Sequence, residues 1–402
     1  MTIQTSTSTR PRRGESPAGN ALGKAAVAYL VVAAALATAS SYLIQPELRP
    51  VARDLGVSVS AITVAAGSAI VGYLVGLAVL VPLVDHVRAN RLVAAQLAGL
   101  ATGLSVAACA PNPALLGAGL FVAGAGGSTG AQLSTLAGKH SAPGRRGQAV
   151  GRVTAGISAG ILLGRIVGGA LADWLGWRVM LGVLGGVCLT MAAGALRALP
   201  TERVKPTQRY GEVLRSLPKL VRSTRRLRVA AAAGSLWFLA FSLVWVGLSL
   251  ALSQAPLHRS STQVGLYSLA GLVGIAGTRV GGRLADRHGS RRVVVGGLAL
   301  ACASTLVLAF ALQQTIVVLL ALALFDAGLF AAQVANQSQV LGIDPERPAR
   351  FNSAYMVIFF VGGSVGTATG GAVVDGLGWP ALAGIAGGAV LLAALVRWSS
   401  PE

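Results

Sequence analysis

Residues 160–177 read GILLGRIVGGALADWLGW, and residues 362–379 read GGSVGTATGGAVVDGLGW. Gly160, Gly164, Gly168 and Gly169 of the first stretch return as Gly362, Gly366, Gly370 and Gly371 of the second, an offset of 202 residues. Asp173 and Trp177 return as Asp375 and Trp379 at the same offset, the loop around Asp85 returns around Asp286, and LFVAG from Leu120 echoes LFDAG from Leu324. The chain is therefore built as a duplication. Glycines four residues apart leave a bare strip on a helix, against which another helix can pack closely. One residue breaks the apolar character of the first stretch. Arg165 places a guanidinium where hydrocarbon is expected, at a cost of about 2.5 to 17 kcal/mol unless something compensates it.

Of the 402 residues, 54% are hydrophobic and 11% charged, and the mean hydropathy is +0.68; an ordinary soluble domain carries roughly 25% charged residues. This is the composition of a polytopic membrane protein. Apolar windows of about 20 residues predict twelve spans, near 24–44, 61–81, 92–110, 114–136, 153–172, 179–196, 229–251, 263–281, 293–312, 316–338, 353–373 and 380–397. The repeat offset covers six spans. An even number of crossings returns the chain to its starting side, so the two halves share one topology. The expected fold is all-α, with two pseudo-symmetric six-helix bundles at 21–196 and 229–402. They are preceded by a disordered polar tail at 1–20 and joined by a linker at 197–228. That linker holds ten Lys or Arg against two Glu and has room for an interfacial helix.

The net charge is +20, and its distribution explains it. Of 33 Lys and Arg, 27 fall on the face that carries both termini, four fall on the opposite face (Arg49, Arg53, Arg178, Arg259) and two lie within spans (Arg165, Arg279). Such asymmetry places both termini in the cytoplasm. The basic excess then reports topology and contact with anionic lipid, not nucleic acid. Cys109, Cys188 and Cys302 are isolated and read as packing residues. The four histidines are scattered without metal-ligand spacing, and no G-x4-G-K-[ST] loop occurs. No metal, cofactor, ATP-driven pump or enzyme centre is expected.

Thirteen acidic residues can be placed, and Asp326 alone falls inside a span. At 1.5 Å per residue it lies near the midplane, as does Arg165. A carboxyl withdrawn from water takes up a proton readily, because desolvation penalises its charge; the plain alternative is a structural hydrogen-bonding acid. Arg165 has three readings: it binds an anionic group of a substrate, it holds Asp326 ionised, or it serves as a scaffold satisfied by neighbouring carbonyls. Helical spacing puts Asp326, Gln333 and Gln337 on one face, and Thr38, Ser41, Tyr42 and Gln45 on another. Span 4 offers Ser128, Gln132 and Thr135, and span 7 offers Ser235, Ser242 and Ser249.

The loop after span 8 runs Gly282-Arg283-Leu284-Ala285-Asp286-Arg287-His288-Gly289-Ser290-Arg291-Arg292. It closely resembles the signature G-x-L-a-D-r-x-G-r-R loop of the major facilitator superfamily. The counterpart from Val81 to Arg91 keeps Leu83, Asp85 and an arginine but loses both glycines. Three passages resemble a bacterial drug and metabolite efflux branch: Tyr42-x2-Gln45-Pro46, Asp326 with Asn336-Gln337, and Asn352-x2-Tyr355-Met356. Arg165 occupies the slot after the second glycine where a related antiporter motif has proline.

The resemblance implies a bacterial inner-membrane secondary transporter, a monomer whose partners are a small-molecule substrate, protons and lipids. In such a fold spans 1, 4, 7 and 10 line the central cavity. That nominates Thr38, Tyr42, Gln45, Gln132, Ser242, Trp245, Gln333, Asn336 and Gln337 for the cavity, and Asp326 with Arg165 for proton coupling. It also implies a gating latch from Asp85, Arg91, Gly282, Asp286, Arg287, Gly289 and Arg291, in which a carboxylate beside a helix N-terminus is stabilised by about 0.3–1 kcal/mol. The expected activity is proton-coupled efflux of a small organic molecule by alternating access. Proton-coupled import of a small metabolite, and a sensor that keeps the fold without transport, are the alternatives.

Overall fold

The computed structural model describes residues 23–400 apart from 82, 84–85, 142–145, 200, 202–209 and 345–347, and every regular element among them is helical. The predicted tail 1–20 and the latch residue Asp85 lie outside the described residues. The first half comprises α1 (Lys24–Ala39), a 3-10 turn (Gln45–Glu47), α2 (Leu48–Asp54), α3 (Val59–Val79), α4 (Ala89–Ala108), α5 (Pro113–Gly127) running on into α6 (Thr129–His140), α7 (Arg146–Leu175) and α8 (Trp177–Ala198). A linker helix, α9 (Tyr210–Ser223), follows. The second half comprises α10 (Arg225–Leu252), α11 (Ser261–Leu266), a 3-10 turn (Tyr267–Ala270), α12 (Gly271–His288), α13 (Ser290–Phe310), α14 (Thr315–Leu341) and α15 (Pro348–Trp398).

Among the described residues, ten helical stretches are long and apolar enough to cross a bilayer, and Lys24–Ala39 is a shorter apolar helix. The longest, within α15, breaks at Gly378, whose φ of 80° is open to glycine but costly for other residues. Gly176, 202 residues earlier, makes the same turn at φ 83° between α7 and α8. With α15 taken as two arms, the arrangement agrees with twelve crossings, six in each half.

One predicted boundary moves. Span 1 is helical only to Ala39, and residues 40–44 form turns leading into the Gln45–Glu47 segment. Pro46 supplies no N–H to continue the ladder, so Tyr42 and Gln45 come from this broken end and not from a continuous helical face. The connections on the side away from the termini, the distal end, begin their next helices with strong caps. Ser58 Oγ accepts from the Ala61 amide, Asn112 Oδ1 accepts from Leu115, and Ser260 forms a capping box with Gln263.

The glycine frames explain how each half is assembled. A methyl group at Gly160 would lie 2.3 Å from the Ala35 carbonyl oxygen, and one at Gly164 would lie 2.7 Å from that of Ala39, so α7 rests directly on α1. In the second half, methyls at Gly362 and Gly366 would meet the carbonyl oxygens of Ser235 and Leu239 at 1.9 and 2.5 Å, so α15 rests on α10 in the same way. The last glycine of each frame instead bears on the opposite half. Gly169 faces the Ser261 carbonyl of α11, and Gly371 faces Thr63 of α3. The halves thus meet along α7 with α11 and along α15 with α3. Lower on that second seam, Tyr73 stacks on Phe360 with ring centroids 4.8 Å apart.

α10 is the most buried crossing helix and α8 the least, as its unbroken apolar sequence leads one to expect. In the linker, Leu217, Leu220 and Val221, spaced to share one helical face, pack on the core, so α9 is the helix for which the linker composition left room.

Candidate functional site: a buried charge pair between the halves

Arg165 sits midway along α7 and is 3% exposed. Its Nε donates to Gln45 Oε1 at 2.8 Å. Its guanidinium carbon lies 4.0 Å from the centroid of the Trp245 ring, 4.9 Å from that of Tyr42 and 5.7 Å from that of Phe241. Aromatic faces hold a desolvated guanidinium by roughly 2 kcal/mol each at best, and three of them supply much of the compensation that a buried cation demands. Nη2 remains buried without a hydrogen-bond partner.

Asp326 reaches the same place from α14 and is 1% exposed. Its Oδ1 accepts from Trp245 Nε1 at 3.4 Å. The indole of Trp245 thus lies between the two charges, with its face to the cation and its N–H to the acid. A cavity of about 40 Å³ adjoins both groups, lined by Leu162 and Arg165 of α7, Phe241 of α10, Gly271 of α12, and Asp326 and Phe330 of α14. A water needs about 10–15 Å³ in this measure, so the space holds a few waters and is smaller than any organic substrate.

Of the residues nominated from sequence, Tyr42, Gln45, Arg165, Trp245 and Asp326 come together here. Thr38 and Gln132 are buried, and neither Thr38 Oγ1 nor the Gln132 amide atoms have a hydrogen-bond partner. Ser242 is buried with its Cβ against Gly366. Gln333, Asn336 and Gln337 are bonded within their own half. Tyr355 Oη donates to Gln333 Oε1 at 2.9 Å, Asn336 Nδ2 donates to the Ala230 carbonyl at 2.8 Å, and Gln337 Nε2 donates to Asn352 Oδ1 at 2.9 Å. Two of the passages that carried the resemblance are therefore hydrogen-bond partners of each other. Phe241 and Phe330 belong to the cavity and were not nominated; as apolar residues in apolar spans they give no sequence signal.

At the distal end the halves are bonded together. Arg49 donates through Nη2 to Asp375 Oδ1 at 3.4 Å and through Nε to the Leu250 carbonyl at 3.1 Å. Ser249 Oγ donates to the Gln45 carbonyl at 2.6 Å. Asp173 accepts from the amides of Ser261 and Thr262, at 3.1 and 2.7 Å, and from Thr262 Oγ1 at 2.6 Å. Asp173 and Asp375, first noticed as landmarks of the duplication, both reach across the seam.

The signature loop lies at the other end. Asp286 occupies the last turn of α12, is exposed, and has no bonding partner among the described residues. Arg91 and Arg287 are also exposed, and Gly282 is half-buried. Gly289 makes the turn into α13 at φ 85°, and Arg291 bonds to the Trp398 carbonyl and lies 5.4 Å from the centroid of its ring.

The sequence matches the Major Facilitator Superfamily model over residues 30–367 and 238–402. It is 30% identical over 377 residues to the uncharacterized transporter YgaY of Escherichia coli O157:H7, covering 94% of this chain and 95% of that one. It is 27% identical over 285 residues to the chloramphenicol resistance protein of Streptomyces lividans, covering 67% and 69% of the two chains. Its fold resembles the crystal structure of a bacterial homologue of the human lysosomal transporter Spinster in an inward-facing, unoccupied conformation, with a TM-score of 0.71, 14% identity, and 96% and 95% of the chains covered. With the duplicated halves, the signature loop and the family match in agreement over nearly all of its length, the chain belongs to the Major Facilitator Superfamily.

Proposed function

We propose that the protein is a proton-coupled exporter of a small organic molecule, a carrier without chemical turnover, working by alternating movement of its two halves. The observation that carries this reading is the pairing of Arg165 and Asp326, supplied by opposite halves, across one indole and one small cavity. A charge pair shared between moving bodies changes its geometry whenever they move, so its protonation and their arrangement are linked. In the exchange, Asp326 takes a proton from the outside when the cavity faces outward, which weakens its hold on Arg165 and Trp245. Return to the cytoplasmic side lets the substrate displace the proton. The bias of basic residues sets that orientation, with the terminal face in the cytoplasm. A bonded distal seam then fits the half of the cycle open to the cell interior. The resistance role named for the Streptomyces lividans relative favours export.

A second reading is favoured by one observation. Arg165 Nη2 is buried and without a partner beside the cavity, which suits the carboxylate or phosphate of an anionic substrate and fits an importer as well as an exporter. Substrate screening in a pump-deficient bacterial host, followed by efflux assays in inverted vesicles under an imposed pH gradient, tests the proposal. Asp326→Asn is expected to abolish gradient-driven transport while leaving substrate exchange measurable. Transport with unchanged pH dependence in that variant removes Asp326 from the coupling role.

A further inference from the structure

The bundle buries a second acid that the exchange scheme above does not use. Glu47 closes the 3-10 turn beyond the end of α1, outside the membrane-crossing helices, and is 2% exposed. Its Oε1 has no hydrogen-bond partner, and the carboxyl faces Ser261 of the opposite half. Every neighbouring element can be searched for a compensating cation. α7 presents Arg165, which is committed to Gln45, and Asp173, whose negative charge acts on Glu47. α10 carries no titratable side chain between residues 229 and 252, and α11 carries none at all. α2 contributes Arg49, turned toward Leu250 and Asp375, along with Arg53 and Asp54, both exposed. On the loop before α11, Arg259 is half-buried with its Nε unpartnered, yet the charge that acts on Glu47 is that of Asp173, so Glu47 is an acid sealed between the halves beside another carboxylate.

We propose that Glu47 is a proton-binding site that locks the distal seam: the seam closes with a proton on this carboxyl, and opening it to water releases that proton. Ionised, the side chain would be a desolvated anion without a compensating cation, which a protein interior does not tolerate. Protonated, it is a neutral group that packs. Burial, with the charge of Asp173 behind it, pushes the carboxyl up to about 8 in the closed seam, against roughly 4.3 for a solvated glutamate. The raised value belongs to the closed form, so closure binds the proton. The closed-to-open ratio then rises about tenfold per pH unit as pH falls from about 8 toward about 4.3 and is complete below that; above about 8 the gain is lost. This linkage holds whether or not substrate is exchanged for protons at Asp326.

The test uses the full chain in lipid nanodiscs, with Cys109, Cys188 and Cys302 changed to alanine. Spin labels are placed at Pro111→Cys and Gln313→Cys, two exposed distal positions in opposite halves, and their separation is measured from pH 5.5 to 9.5. The short, closed distance is expected to dominate at low pH, to give way to a longer one as pH rises toward about 8, and to change no further above it. Glu47→Gln, the same shape and always neutral, is expected to hold the short distance across the whole range, and Asp173→Asn to move the midpoint to lower pH. Asp326→Asn is expected to leave this profile in place, so each assignment can fail alone. A pH-independent distance in the unmodified background, or a Glu47→Gln protein that follows the same profile, overturns the inference.

Discussion

Asp173 and Asp375 stand 202 residues apart in equivalent turns, and each crosses the distal seam to bond the half to which it does not belong. They are unequal in strength. Asp173 holds two amides and a hydroxyl, whereas Asp375 holds one guanidinium nitrogen at 3.4 Å in a partly exposed pair. Hydrogen bonds to a charged group contribute about 1.5–3 kcal/mol, and exposed ion pairs about 0–1. Asp173→Ala is therefore expected to shift the seam toward its open form by about tenfold or more, and Asp375→Ala by about threefold. The reaction rate of a cysteine placed at the buried Val264, with a membrane-impermeant maleimide added from the distal side, reads both shifts. Equal effects would contradict the ranking.

Replacing Arg165 by lysine keeps the charge and discards the geometry. An ammonium cannot donate from the Nε position to Gln45 while lying flat against Trp245 and Tyr42. Arg165→Lys is expected to lower transport efficiency at least tenfold with little change in thermal unfolding. Wild-type transport in this variant would show that only the charge matters.

The glycine frames make a prediction about folding. Gly164→Ala and Gly362→Ala drive a methyl group into a carbonyl oxygen of the adjoining helix and are expected to destabilise the protein by about 1–3 kcal/mol or more. Gly186→Ala and Gly388→Ala meet open space and are expected to be neutral or slightly stabilising, since alanine favours helix by about 1 kcal/mol over glycine. Thermal unfolding in detergent, compared across the four, checks the contrast.

The network around Tyr355 separates scaffold from cavity. Tyr355→Phe removes the donor to Gln333 and leaves a buried amide oxygen short of a bond, at a cost of about 1–3 kcal/mol. The expected outcome is a lower unfolding temperature with the KM for transport unchanged. A raised KM with intact stability would return Gln333 and Asn336 to the substrate path.

Much of this molecule can be read before any coordinates exist. The duplication, the spans, the bare strips on α7 and α15, and the two isolated charges all follow from periodicity and from the cost of burying charge. What escapes the sequence is partner choice. Spacing put Gln333 and Gln337 on the face of Asp326, but it could not reveal that α10 and α15 take up the hydrogen bonds of the amide residues nearby. Hydropathy windows ended span 1 at Ile44 and left Glu47 outside, because its burial comes from closure of the opposite half and not from its own neighbours in the chain. Trp245 gave a weak signal for the same reason: its role as divider between Arg165 and Asp326 exists only after two halves meet.

The contacts of Gly169 with Ser261 and of Gly371 with Thr63 bind the two copies to a shared history. Each copy keeps a naked patch of backbone against the other, so a bulky replacement in either one collides with the opposite half. Sequence drift elsewhere can proceed independently in the twin bundles. At these two contacts it cannot, because a methyl on Gly169 would lie 2.2 Å from the Ser261 carbonyl oxygen and one on Gly371 2.5 Å from Thr63 Oγ1.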